Sequence, residues 1–319
     1  MSEINRADSL QKLINEMKQI ENRAYNLVQK HPDYEEILTK RAEEAGIDYF
    51  FLQDIETVES NILRQLLDDI ISVYPSYVAE KLRSEIGIGL INSGHFRARL
   101  HKEKEKAAIL INYGLLTFLN QCTKYSIACK EPQYIVFCDR KSPDSVTQSD
   151  IETYFKELCS NYQQRQLPVG PLILLDEKTD PLRVDLLYIK ELFIVSHEMG
   201  HHMLGHQESS YRNELEADCY AYTLVLGVIK QKRAWLNEKF LFTTLIELFK
   251  DMQYYQGLKQ SDTHPQPYWR LIAITRSFFG DELTFALRES LFKGDNKALD
   301  EALSKMPNFT NDRLLETHI

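Results

Sequence analysis

Ser196-His197-Glu198-Met199-Gly200-His201-His202 is the stretch that decides how this 319-residue chain is read. It contains the pattern H-E-x-x-H. On a helix, positions i and i+4 lie about 40° apart around the axis, so His197 and His201 share a face. Two imidazoles at that spacing can hold one metal ion, while Glu198 beside the first polarises the water bound to it. Three fixed letters alone carry little weight, and the neighbourhood has to decide.

Upstream, the chain reads as one long helix from Val184 to Leu204. Leu186, Leu187, Ile189, Leu192, Phe193 and Val195 give it a broad apolar surface, which marks a buried, central element. Gly205 follows where a helix cap is expected. The motif therefore occupies the last two turns of a largely buried helix, which is the context it requires.

Two histidines do not complete a catalytic zinc site, which usually has three protein ligands and a water. Two residues compete for the third place. His206 lies just past the glycine, but Gly205 and His206 each miss the register of H-E-x-x-H-x-x-G-x-x-H by one residue. Glu214 opens Glu214-Leu215-Glu216-Ala217-Asp218 at the start of the next helix, read from about Glu214 to Gln231, and a helix hairpin can bring its carboxylate beside both imidazoles. Glu214 is the preferred ligand. Asp218, one turn on, can accept the remaining N–H of a ligating histidine and orient it. Glu216 points elsewhere and reads as part of a solvated acidic helix start.

The rest of the chain frames this centre. The first ~85 residues read as helices: Leu10, Leu13, Ile14, Met17 and Ile20 recur at helical spacing, as do Ile62, Leu63, Leu66, Leu67, Ile70 and Ile71. Breaks fall near His31-Pro32-Asp33 and Tyr74-Pro75-Ser76. After Gly87 the character changes. Phe96–Leu100 and Ala107–Ile111 read as paired strands joined by a turn in the Lys102–Lys106 run, followed by a helix over Leu115–Ser126. Tyr134–Cys138 and Leu172–Leu175 are further short strands of a small sheet, with a helix over Asp150–Arg165 and a loop at Pro168, Gly170 and Pro171 between them. A third late helix spans Asn237–Tyr255. Strands followed by helices imply an α+β fold with helix in the majority.

Bulk properties narrow the function classes. Hydrophobic residues make up 43% and charged residues 27%, as in a globular protein. A net charge of −9 argues against nucleic acid and anionic membranes as partners. No apolar h-region opens the chain and no run approaches a spanning helix, so neither a signal peptide nor an integral membrane segment is expected. Cys122, Cys129, Cys138, Cys159 and Cys219 are scattered and odd in number, which reads as reduced cytoplasmic thiols.

H-E-x-x-H followed by E-x-x-A-D resembles the gluzincin zinc metallopeptidases. Thr263-His264-Pro265 and the later Arg270 resemble the T-H-P…R segment of the HtpX, Oma1 and CAAX-prenyl endopeptidase family. ImmA/IrrE-type proteins and the phage-exclusion Lit peptidase are soluble relatives in style. The resemblance covers about Lys190 to Ile274. It implies a zincin-like core of small sheet plus active-site helix, with Zn²⁺ on His197, His201 and Glu214, Glu198 as general base and Asp218 as the orienting carboxylate. It also implies that His264 stabilises the tetrahedral intermediate; a plain turn histidine before proline is the other reading. Arg270 reads as a surface salt bridge, or as a partner of a carboxylate near the site.

The expected organisation is an N-terminal helical region over 1–85, a zincin-like metallopeptidase domain over 86–278 and a helical tail over 279–319. The expected activity is hydrolysis of a protein or peptide substrate inside the cell, with the N-terminal helices available to a regulatory partner. The rival expectation is a regulatory or binding protein on the same scaffold, with no metal or with a structural one closed by His206 or His202.

Overall fold

In a computed structural model the described residues are 10–19, 55–130, 135–137, 147–165, 173–175, 179–256 and 264–306. The break read at His31-Pro32-Asp33, the loop at Pro168–Pro171 and Thr263 lie outside them. Described helix greatly exceeds described strand, and the fold is α+β, mostly helical. The chain forms two compact units interleaved in sequence. Residues 1–67 and 80–188 make the first, and residues 68–79 and 189–319 make the second.

The first unit is built around a three-stranded sheet. Helix α1 (10–19) is followed by α2 (Ile55–Ile71), α3 (Ser76–Glu85), β1 (Ile86–Ile91), β2 (Ala98–Glu103) and β3 (Lys106–Asn112). The strand order is β1-β3-β2, with β1 parallel and β2 antiparallel to the central β3. Central β3 is Lys-Ala-Ala-Ile-Leu-Ile-Asn and buried almost throughout, whereas edge strand β2 carries Arg99, His101, Lys102 and Glu103 and is half exposed. Charge on an edge strand discourages pairing with a further strand. The turn in the lysine–glutamate run is tighter than the sequence suggests: only Lys104 and Glu105 form it, Lys104 at φ 55°.

β1 was not anticipated from sequence, because glycines at 87 and 89 weaken its strand signal. Their reason is close packing. A Cβ on Gly89 would lie 2.6 Å from Ile14 Cγ2, and Leu10, Leu13 and Ile14 of α1 share a core cluster with Ile91, Ala108 and Leu110. Helix α4 (Tyr113–Lys130), strand β4 (Ile135–Phe137), helix α5 (Gln148–Arg165) and strand β5 (Ile173–Leu175) complete the unit. β4 and β5 pair only with each other among the described residues, so the expected single sheet is two. Phe118 of α4 and Tyr162 of α5 stack edge to face at 4.7 Å between centroids.

The motif helix α6 (Asp180–Met203) starts four residues before its sequence reading, with Pro181 in its first turn and Asp180 bound by Arg183 Nε at 2.6 Å. From Ile189 onward it belongs to the second unit. That unit continues with α7 (Tyr211–Lys232), α8 (Glu238–Gln256), α9 (Pro267–Lys293) and α10 (Lys297–Ser304). Its core is aromatic: Phe193 meets Phe249 at 5.7 Å, Tyr222 meets Phe278 at 4.4 Å, and Phe242 meets Phe279 at 4.7 Å. Within it, Lys190 of α6 is fully buried and donates to Asp251 Oδ2 of α8 at 2.8 Å. No helix among the described residues is long and apolar enough to cross a membrane.

Candidate metal centre and active site

Local signals place the two helices that carry the centre. α6 ends at Met203, and Gly205 turns the chain at φ +68°, a conformation that favours glycine. α7 starts where Ser210 Oγ accepts from the backbone N of Asn213 at 3.2 Å, and Glu214 in its first turn suits the helix dipole. Gly200, inside the motif, lets α6 and α7 approach. A Cβ there would stand 3.1 Å from Ala217 O and 3.2 Å from Ala217 Cα. The small residues of H-E-M-G-H and E-L-E-A-D therefore face each other.

That approach brings three side chains together. His197 Nε2 lies 3.1 Å from His201 Nε2. Glu214 Oε2 is 3.4 Å from His197 Nε2, and Glu214 Oε1 is 3.5 Å from His201 Nε2. Ligands at about 2.0–2.1 Å around a tetrahedral zinc would stand about 3.3 Å apart, so these atoms match one face of such a tetrahedron. Glu214 is 3% exposed, and its Oε2 has no hydrogen bond. A buried carboxylate oxygen without a donor is costly unless something positive meets it. His197, His201 and Glu214 could hold a metal ion.

Behind His197 stands a second layer. Asp218 Oδ1 lies 2.9 Å from His197 Nδ1. Arg270 of α9 then donates to both oxygens of Asp218, and its Nη2 also comes within 3.9 Å of Glu214 Oε2. The reading of Arg270 as a surface salt bridge is overturned: the residue is 5% exposed, and the carboxylate it pairs with is completely buried. Its sequence signal was its place after Thr263-His264-Pro265, but spacing cannot report depth. His264 is half exposed, with Nε2 3.5 Å from Glu214 Oε1. Glu198 is buried at 8% exposure and close enough to Arg270 to add to its positive character.

His206 takes a different place from the one offered to it as a ligand. Its Nδ1 lies 2.9 Å from His201 Nδ1, on the ring edge turned away from Glu214. Its Nε2 lies 3.3 Å from Glu216 Oε2, and Arg212 Nε donates to Glu216 Oε1 at 2.7 Å. Sequence reasoning passed over Glu216 as solvated, and it is indeed partly exposed. The available signal was Arg212 four residues before it, the spacing of a helix ion pair.

Electrostatics follow from this layout. Burial alone would lower the His197 pKa, but the charge and hydrogen bond of Asp218, with Glu214, outweigh it and raise it to about 9. His201 goes the other way, to about 4, through burial and then the charged His197 beside it. Burial would raise Asp218, yet Arg270 and then His197 bring it down to about 2. Glu214 is likewise held below the usual carboxylate range, against its burial, by His197 and Arg270. Without a metal, the positive His197 and Arg270 thus balance Asp218 and Glu214.

On the same unit, a pocket of about 690 Å³ opens on the neighbouring faces of α7 and α9. Leu215, Pro265 and Trp269 line it and are the chain neighbours of Glu214, His264 and Arg270; Tyr211 and Phe285 add aromatic surface. A family model described as Peptidase U49 matches residues 90–288, which include α6, α7 and Arg270. No curated protein and no solved structure matches the chain.

Proposed function

Since the chain belongs to the peptidase U49 family and is a peptidase acting on protein, we propose that it is a zinc-dependent endopeptidase with the gluzincin arrangement of ligands. The observation that carries this reading is the convergence of His197 Nε2, His201 Nε2 and the buried Glu214 carboxylate within 3.1–3.5 Å of one another in a charge-balanced site. A zinc ion held there would supply Lewis-acid polarisation of the scissile carbonyl and acidify the attacking water.

The chain's own residues do the rest. Glu198 takes the proton from that water and delivers it to the leaving amine. His264, half exposed beside Glu214, presents an N–H to the developing oxyanion. Asp218 accepts from His197 Nδ1–H, which leaves the Nε2 lone pair for the metal, and Arg270 holds Asp218 in place. The apolar side chain of the substrate next to the scissile bond enters the pocket between Leu215, Trp269 and Phe285. The setting we infer is intracellular, and the core is zincin-like.

The rival reading, a closed structural metal site, needs a fourth protein ligand. The contact of His206 with the far edge of His201 supports the open site instead. Zinc analysis of the purified protein, with proteomes of cells expressing wild type or Glu198→Gln, tests the proposal. Expected are one zinc per chain in both and cleavage of a cellular protein by wild type only. A Glu198→Gln protein that cleaves normally would sink the assigned role.

A further inference from the structure

Resting on that reading of the metal centre, we propose that His206, backed by Glu216, is the positioning residue that sets the tautomer of His201 and turns its Nε2 lone pair into the site. Donor counting leads there. An ionised Glu216 can only accept, so the His206 nitrogen 3.3 Å from it, Nε2, carries the proton. With that proton on Nε2, His206 Nδ1 is the acceptor of the ring. That nitrogen lies 2.9 Å from His201 Nδ1, so His201 Nδ1–H donates to it. With its proton on Nδ1, His201 leaves Nε2 free to ligate, and this is the nitrogen 3.1 Å from His197 Nε2.

His197 and His201 thus receive the same instruction by two routes. His197 is backed by a carboxylate directly, through Asp218. His201 is backed by one at a remove, through His206 to Glu216, and Arg212 steadies the end of that chain at 2.7 Å. A reversed chain, with His206 donating to His201, would put a proton on His201 Nε2 and block the ligand. Glu216 opposes it because it offers His206 Nε2 nothing but lone pairs. His206 touches no reacting atom; it acts through His201.

The test is zinc affinity of the full chain, measured by competition with a chromophoric chelator, beside the thermal midpoint of the metal-free protein. His206→Ala is expected to weaken zinc binding about 10–100-fold while the metal-free midpoint barely moves. His206→Gln, whose amide oxygen can accept from His201 Nδ1–H, recovers most of that loss. Long-range ¹⁵N–¹H spectra of the zinc-loaded protein are expected to place the His201 proton on Nδ1. Unchanged affinity in His206→Ala overturns the proposal, and so does a loss as complete as that of His201→Ala, which would make His206 a ligand. A fall in metal-free stability with affinity intact overturns it as well. If wild type itself takes up no stoichiometric zinc, the metal reading fails first, and that result is distinct from the others.

Discussion

Arg270 holds Asp218 at both carboxylate oxygens, Nε on Oδ2 at 2.7 Å and Nη2 on Oδ1 at 2.6 Å, with the pair sealed beneath the candidate metal centre. A planar, bidentate grip of this kind orients as well as neutralises. Because Asp218 also meets His197 Nδ1, the guanidinium of α9 reaches the ligand geometry on α6 through α7. Arg270→Met is expected to leave a buried carboxylate uncompensated and to destabilise the protein by about 3–5 kcal/mol. Arg270→Lys keeps the charge but loses the fork, so it should fold and yet bind zinc more weakly. Urea unfolding and chelator competition read the two effects; a lysine variant with wild-type zinc affinity would remove the orienting role.

The pH dependence of the metal-free chain follows from three shifts, of Asp218, His201 and His197. Asp218 is depressed from 3.8 to about 2, so its stabilising contribution is complete above its unfolded pKa and lost as pH falls towards 2. His197 is raised from 6.5 to about 9, so its contribution is complete below 6.5 and lost as pH rises through 9. His201 is lowered from 6.5 to about 4, so its contribution is complete above 6.5 and lost as pH falls through 4. Stability in the presence of chelator should therefore peak at about pH 6.5 and decline on both sides. His197→Gln should flatten the alkaline decline, and saturating zinc should do the same by replacing the proton. Urea midpoints measured from pH 4 to 9 check this; an alkaline decline that persists in His197→Gln points to another group.

Lys190 and Asp251 form an ion pair in the core of the second unit, 2.8 Å apart with the lysine fully buried. Removing one partner leaves the other charge in an apolar setting. Lys190→Met is expected to cost about 3–5 kcal/mol, while Lys190→Met with Asp251→Leu should recover much of it, since well-packed apolar replacements of buried pairs are often neutral. A double-mutant cycle by urea unfolding measures the coupling. A single variant within about 1 kcal/mol of wild type would mean that water reaches the pair.

Trp269 and Phe285 line the pocket on α7 and α9, and both are substantially exposed. Truncating either to alanine should lower kcat/KM on a cleaved protein by about tenfold, mainly through KM, because a lost apolar pocket contact is worth about 1–3 kcal/mol. Zinc content should not change. Equal kinetics for Trp269→Ala, Phe285→Ala and wild type would place the substrate elsewhere.

What could be read along the chain was what depends on near neighbours. The end of the motif helix, the glycine at 205 and the i, i+4 pairs His197/His201 and Glu214/Asp218 are set by residues within one or two turns of each other. Periodicity and capping therefore reported them, and the strand pair around Lys104–Glu105 as well. β1 escaped because its glycines look like punctuation until Leu10 and Ile14 are packed against them. The division into two sheets escaped because β4 and β5 find each other across 35 residues of intervening chain.

At the centre the same rule holds. The H-E-x-x-H helix determined by itself that two imidazoles and a glutamate share a short stretch, and the E-x-x-A-D spacing supplied a carboxylate in reach. Only the tertiary structure decided that Gly200 meets Ala217, that Arg270 is buried against Asp218, and that His206 stands behind His201. Hydrogen-bond partnership depends on ångström distances between separate elements, and helix packing sets those distances. Sequence spacing places a side chain on a face; packing decides what that face meets.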